Sequence, residues 1–262
     1  MPLYQAATIS WLPNLVQGFT TRGGGVSAAP YDSLNLSYNV GDNPDSVAAN
    51  RARLAMSLSI DPAKMVYAEQ VHGGGVAVVD APQAEPVAGV DALITRTPGL
   101  VLTLLFGDCV PIYFVDPLKK VVALAHAGWR GASVNIIQRV TSTLAKDFGV
   151  SPKLCQVAVG PSIAGENYEV GPEVADLFRE SYSSTSSVAV IPRSEMDARY
   201  ELHLRRVVYN QLLAAGYKPD SIAVCEEDTY RNARDFFSHR RESQQGRKTG
   251  RMAAVLGLRE SG

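Results

Sequence analysis

The chain has 262 residues, 46% of them hydrophobic, enough to bury a full core in a single domain spanning 1–262. Its 25 Lys and Arg nearly balance 26 Asp and Glu, and no basic run interleaves with aromatics, so a nucleic-acid partner is not expected. The longest apolar runs, such as LVLTLLF at 100–106, are far too short to span a bilayer, no secretory pattern opens the sequence, and three cysteines without close pairing fit a reduced, cytoplasmic protein with no membrane partner.

In chain order, the first predicted element is a helix opened by GDNP at 41–44. Val47, Leu54 and Leu58 form its apolar stripe. Arg51 falls on the edge of that stripe, where it either snorkels along the core margin or serves a site. Short runs rich in Val, Ile, Leu and Tyr at 65–68, 76–79, 100–106, 110–115 and 121–125 are bounded by turn residues and read as strands. Val134, Ile137, Val140 and Leu144 have helical spacing, with Gly149 as the stop. A strand at 155–159, a helix at 172–181 and an exposed serine-rich loop at 181–187 follow, then a helix at 199–215 stopped by Gly216 and a strand at 222–225. Several strands are apolar on both faces, which requires cover by helices or by a second sheet. Neighbouring strands are joined both by short turns and by helices. That predicts a mixed α/β (α+β) layered sandwich with mixed sheets, not a doubly wound fold.

One predicted hairpin, FGDCVPIYFVDPLKKVVALAHAGWRG from Phe106 to Gly131, carries a cysteine near one end and a histidine near the other. A symmetric turn centred between Pro117 and Leu118 would set Cys109 opposite His126, with Cβ atoms roughly 4.5–5.5 Å apart. That spacing holds one ion between a thiolate at about 2.3 Å and an imidazole at about 2.0–2.1 Å. His72, in EQVHGGG at the end of the strand at 65–68, is the third candidate. Two histidines and a cysteine leave a fourth position open, the pattern of a catalytic zinc site. Taken singly, a strand-end cysteine is usually an inert small hydrophobe and a lone histidine a satisfied core residue. Cys155 and Cys225 are expected to be structural, and His203, on the predicted helix at 199–215, a surface or packing residue.

The motifs TTRGGGVS, PYDSLNLSYNVGDNP, EQVHG, GDCVPI, HAGWRG, GPSIAGENYEVG and FFSHRR…TGRM occur in this order from Thr20 to Met252. With them the chain resembles, over nearly its whole length, the YfiH-like family of laccase-domain or polyphenol oxidase proteins. The resemblance implies a fold similar to the catalytic domain of the cytotoxic necrotizing factors. It also implies purine nucleoside phosphorylase activity on adenosine, inosine, guanosine and methylthioadenosine, with adenosine deaminase activity. Zinc would be held by His72, Cys109 and His126, the three residues the hairpin argument selects. Three departures stand out: FGDC in place of a TADC-like stretch, His239 in SHRR where tyrosine is common, and a longer loop at 242–249 that could line the pocket.

Phosphorolysis needs a group to hold phosphate, and the arginine fork matches phosphate oxygens. Arg51 and Arg130 are the first candidates, followed by Arg22 and Arg240, for which a solvated loop charge is the competing reading. Deamination needs a metal-activated water and a carboxylate as proton shuttle, with Asp91, Asp108 and Glu173 as candidates. Copper ranks below zinc. A multicopper site needs more than the four histidines present, and a blue-copper centre needs an axial methionine that is not evident. Another class of reading is a metal-free hydrolase, with Cys109 as nucleophile and His126 or His72 as its base, acting in peptidoglycan precursor editing. A non-catalytic interaction protein is disfavoured by glycine-dense loops beside three candidate ligands.

Overall fold

The computed structural model describes residues 3–4, 9, 14–181, 189–194 and 198–260. Among them, a six-stranded sheet runs in the order Ile222–Val224, Gln156–Val159, Val110–Asp116, Val121–Ala127, Ala92–Thr95, Val76–Val78. A five-stranded sheet runs Leu3–Tyr4, Leu15–Thr20, Met252–Leu258, Val101–Phe106, Met65–Tyr67. Both contain parallel and antiparallel pairs, as the mix of short turns and crossovers requires. A small antiparallel sheet joins Glu169–Val170, Arg199–Leu202 and Val190–Ser194.

Side-chain alternation explains why the strands read as continuous apolar runs. Ile112 and Phe114 face a core shared with Ile137, Val140 and Leu144 of the helix Ile136–Phe148 and with Val207 and Leu212 of the helix Leu204–Ala214. Tyr113 and Val115 face a second core with Leu102, Leu104, Ala254 and Leu256, which fills the space between the two large sheets. On the far side of the five-stranded sheet, Val101 and Val255 pack on Leu54 and Leu58 of the helix Pro44–Leu58. The result is four layers: helices, sheet, sheet, helix. Both large sheets are covered on both faces, so nearly every strand position is apolar.

The helix Pro44–Leu58 begins where GDNP predicts. Asn43 accepts from the backbone N–H of Asp45 and Ser46, and Pro44 needs no donor partner at the first turn. Gly149, with φ 63°, closes Ile136–Phe148. Two expectations need correction. Val134 is 46% exposed and lies between the short helix Trp129–Ser133 and Ile136–Phe148, so it is not part of the buried stripe. The helix expected at 199–215 is a strand, Arg199–Leu202, followed by a helix from Leu204. Pairing with Glu169–Val170 on one side and Val190–Ser194 on the other holds the first four residues extended. His203 is therefore the residue before the helix and not on it. Of the expected serine-rich loop, Ser181 ends the helix Pro172–Ser181, and 182–187 lie outside the described residues. No helix among the described residues is long and apolar enough to cross a membrane.

Candidate metal centre

His126 shares its strand face with Val122 and Leu124, so it points into the layer between the sheets, beside the Phe106 ring at 5.2 Å. The hairpin register differs from the symmetric expectation. Pro111, not Cys109, pairs with His126, and Val110 pairs with Ala127. The physical cause lies in the turn. Asp116 Oδ1 accepts from the N–H of both Leu118 and Lys119, and Lys120 adopts a left-handed φ of 52°, so the loop takes four residues and centres one position later. The pairing therefore slips by two residues. Side chains alternate with period two, so Cys109 stays on the face of His126 and approaches it diagonally from just ahead of Val110–Asp116.

His72 arrives from the turn after Met65–Tyr67. Gln70 continues that strand with its side chain, accepting from Leu105 N–H at 2.7 Å and donating to Leu105 C=O at 2.9 Å. Asp91, fully buried, then holds the turn by accepting from the N–H of Val71, His72 and Gly73 at 3.2, 3.0 and 2.6 Å. The same carboxylate lies 2.8 Å from His126 Nδ1. One buried anion thus fixes the backbone of one histidine and the ring of the other.

The ligand atoms of His72, Cys109 and His126 all lie within 4.8 Å of one another. A Cβ at position 128 would sit 3.1 Å from Cys109 Sγ and 3.3 Å from His72 Cδ2, so the glycine of HAGWRG leaves the room in which these side chains converge. With Nδ1 of His126 committed to Asp91, its Nε2 is left to bind a metal, the carboxylate–histidine–metal arrangement. One thiolate and two imidazoles with room for a fourth ligand fit a tetrahedral metal ion.

The electrostatics agree. Burial pushes the Cys109 thiol up, but the imidazoles of His126 and His72 more than offset this and bring it down to about 6. Burial pulls His126 down, and the Cys109 and Asp91 charges override that and raise it. Burial likewise raises Asp91, yet its bonds from His126 and from the Gly73 and Val71 N–H groups hold it below the usual carboxylate range.

The three residues face a cavity of about 980 Å³ whose wall also carries Arg51, His239 and Arg251. Arg51 donates from Nε to Leu36 C=O at 3.0 Å and stacks on Tyr38 and Tyr67 at 4.5 and 3.9 Å. The other sequence candidates lie elsewhere. Arg130 is exposed and stacks on Trp129, Arg22 pairs with Asp32, and Arg240 donates to Glu169 C=O and stacks on Tyr168. None of the three lines this cavity. Asp108 accepts from Thr229 Oγ1 and Arg240 N–H, which anchors the turn beside Cys109. Glu173 is exposed at the start of Pro172–Ser181 and away from the cavity wall. Among the described residues, none of the loop at 242–249 and no methionine lines the cavity. Cys155 and Cys225 carry free thiols outside the cluster. Arg251 stands in the TGRM motif, but nothing local in the sequence distinguishes it from other loop arginines.

The sequence family described as multi-copper polyphenol oxidoreductase laccase matches residues 16–259. The chain belongs to this family. The purine nucleoside phosphorylase SCO2081 of Streptomyces coelicolor is 39% identical over 246 residues, covering 92% of this chain and 94% of that protein. The purine nucleoside phosphorylase YlmD of Geobacillus stearothermophilus is 39% identical over 253 residues, 94% of this chain and 90% of that one. The crystal structure of that YlmD superposes with a TM-score of 0.88 at 38% identity, covering 95% of this chain and 93% of the other. The crystal structure of YfiH from Bacillus licheniformis gives a TM-score of 0.91 at 34% identity, covering 96% and 95%. The layered α/β sandwich with mixed sheets expected from the sequence is thus the fold of its YlmD and YfiH relatives.

Proposed function

We propose that this protein is a zinc-dependent purine nucleoside phosphorylase, a single cytoplasmic catalytic domain that also deaminates adenosine. The observation that carries the reading is the His72–Cys109–His126 cluster, oriented by Asp91 on the wall of a cavity that also presents Arg51. The relatives' names supply the substrate class, purine nucleosides with phosphate.

A zinc ion held by these three side chains would supply Lewis acidity at neutral pH, which hydrolytic deamination of a purine requires. The chain's own groups do the rest. Asp91 fixes the His126 tautomer by accepting its Nδ1–H. Arg51, already stacked between two tyrosine rings, offers phosphate a guanidinium whose orientation is settled before binding. In phosphorolysis a phosphate oxygen bonds to C1′ as the glycosidic C–N bond breaks, and the purine leaves with the bonding pair. Protein purified without added metal should contain close to one zinc per chain. Cys109→Ala should lose most of the zinc together with both activities, and full zinc retention in that variant overturns the ligand assignment. Arg51→Met should fold, raise the KM for phosphate on the order of ten- to a hundred-fold, and leave adenosine deamination nearly intact. Equal loss of both activities would make Arg51 structural.

A second reading draws on the low thiol pKa of Cys109 beside His126. There Cys109 is the nucleophile of a metal-free hydrolase that acts on peptidoglycan precursors. Chelation separates the two, since a metal-free hydrolase survives it and a zinc enzyme does not.

A further inference from the structure

We infer that Arg251 is a second phosphate-holding residue, which grips the anion together with Arg51 beside the metal cluster. The identity of the anion rests on the phosphorylase reading above. Arg251 lines the same cavity as His72, Cys109 and His126 and is partly buried. Its Nη1 donates to the carbonyls of Thr249 and Gly250 at 3.2 and 3.0 Å. Its Nε and Nη2 have no hydrogen-bond partner, and its guanidinium has no ion-paired carboxylate, among the described residues. Asp108 and Cys109 act on it at longer range, but both oxygens of Asp108 are committed, one to the Thr229 hydroxyl and one to Arg240 N–H, and Cys109 belongs to the metal-ligand cluster. A guanidinium removed from water without a counter-ion is costly, and an anionic ligand removes that cost.

The unpartnered edge is the one that matters chemically. Nε and Nη2 present two parallel N–H groups, the fork that accommodates two oxygens of one phosphate. The side chain is also held in place. A Cβ at Gly107 would lie 3.0 Å from Arg251 Cδ and 3.2 Å from Nε, so the stem rests directly on the backbone one residue before Asp108 and two before Cys109. Arg251 and Arg51 are pinned to one segment, since Leu36 N–H donates to Arg251 C=O and Leu36 C=O accepts from Arg51 Nε. Asn35 Oδ1 accepts from Arg251 N–H in the same place. The acidic groups on the cavity wall, Glu69 and Glu85, are both exposed at its rim. Two other candidate arginines, Arg22 and Arg240, have partners of their own and lie off this cavity.

Two measurements test the assignment. In the first, metal-replete Arg251→Met and Arg251→Lys are compared with the unaltered protein for phosphate KM, nucleoside KM and zinc content. The expected result is a rise in phosphate KM on the order of ten- to a hundred-fold for Arg251→Met, a smaller rise for Arg251→Lys, and unchanged zinc. A folded Arg251→Met with unchanged phosphate KM overturns the proposal. In the second, the unaltered protein is labelled with phenylglyoxal with and without inorganic phosphate, and the peptide containing Arg251 is followed by mass spectrometry. Phosphate should protect Arg251, and equal labelling in both conditions overturns the proposal even if the variants do not fold. Failure of the phosphorylase reading would show separately, as base release that consumes no phosphate, while protection of Arg251 by phosphate would still report the anion site.

Discussion

Asp91 is the residue on which the candidate centre converges, because it serves the His72 turn through three backbone N–H groups and the His126 ring through Nδ1. In the sequence it was one of three possible proton shuttles, and its role in orienting ligands was not legible, since its partners lie about twenty and thirty-five positions away. Asp91→Asn preserves size but can turn its amide toward Nδ1 and favour the wrong tautomer. Zinc affinity should fall roughly 10–100-fold, measured by competition with a chelating dye; an unchanged affinity would remove Asp91 from the centre. The thiols give a second test at this scale. In zinc-stripped protein, Cys109 with its pKa near 6 is mostly thiolate at pH 7, and its alkylation by iodoacetamide should slow as pH falls through that value. Cys155, buried and pushed up to about 12, should stay unmodified, and zinc should protect Cys109. Reaction of Cys155 ahead of Cys109 would contradict the electrostatics described.

Among the elements, the hairpin shows what local sequence can and cannot fix. Apolar runs bounded by turn residues mark both strands, and the facing-position argument puts Cys109 and His126 on one face, where the structure also has them. The turn was misplaced because the Asp116 side-chain bonds and the left-handed Lys120 are not encoded in any pattern as plain as a Gly-containing turn. A two-residue slip preserved the face; a one-residue slip would have sent Cys109 into the opposite core. The helix expected at 199–215 failed for a different reason. Arg199–Leu202 is extended by pairing to Glu169–Val170, about thirty residues earlier, and to Val190–Ser194 just before it, which outweighs its local preference. The convergence of elements also makes Gly128 testable. Gly128→Ala would press its Cβ on Cys109 Sγ and His72 Cδ2, at 3.1 and 3.3 Å before relaxation. Its backbone φ of −81° suits alanine, so Tm should change little while zinc affinity drops. A variant with full zinc affinity would show that the ligands have slack.

At the scale of the whole molecule, the layered α/β sandwich with mixed sheets was legible because strands buried on both faces leave few alternatives. Three strands of the five-stranded sheet, Leu3–Tyr4, Leu15–Thr20 and Met252–Leu258, carry no strand signal in the sequence. LVQGFT and MAAVLGL contain glycine and small residues that weaken a strand signal. Their identity as strands comes from pairing the start of the chain with its end, Met252–Leu258 lying between Leu15–Thr20 and Val101–Phe106. The candidate centre depends on the same long-range closure. His72, Cys109 and His126 come from elements of both large sheets, and Arg251 stands at the head of the strand that the chain's end contributes. The most direct measurement follows hypoxanthine release from inosine by metal-defined protein, with and without inorganic phosphate, and identifies the sugar product. Release that requires phosphate, yields ribose 1-phosphate and disappears on zinc removal is the expected result. Release at the same rate without phosphate, with free ribose as the product, would contradict the phosphorylase assignment.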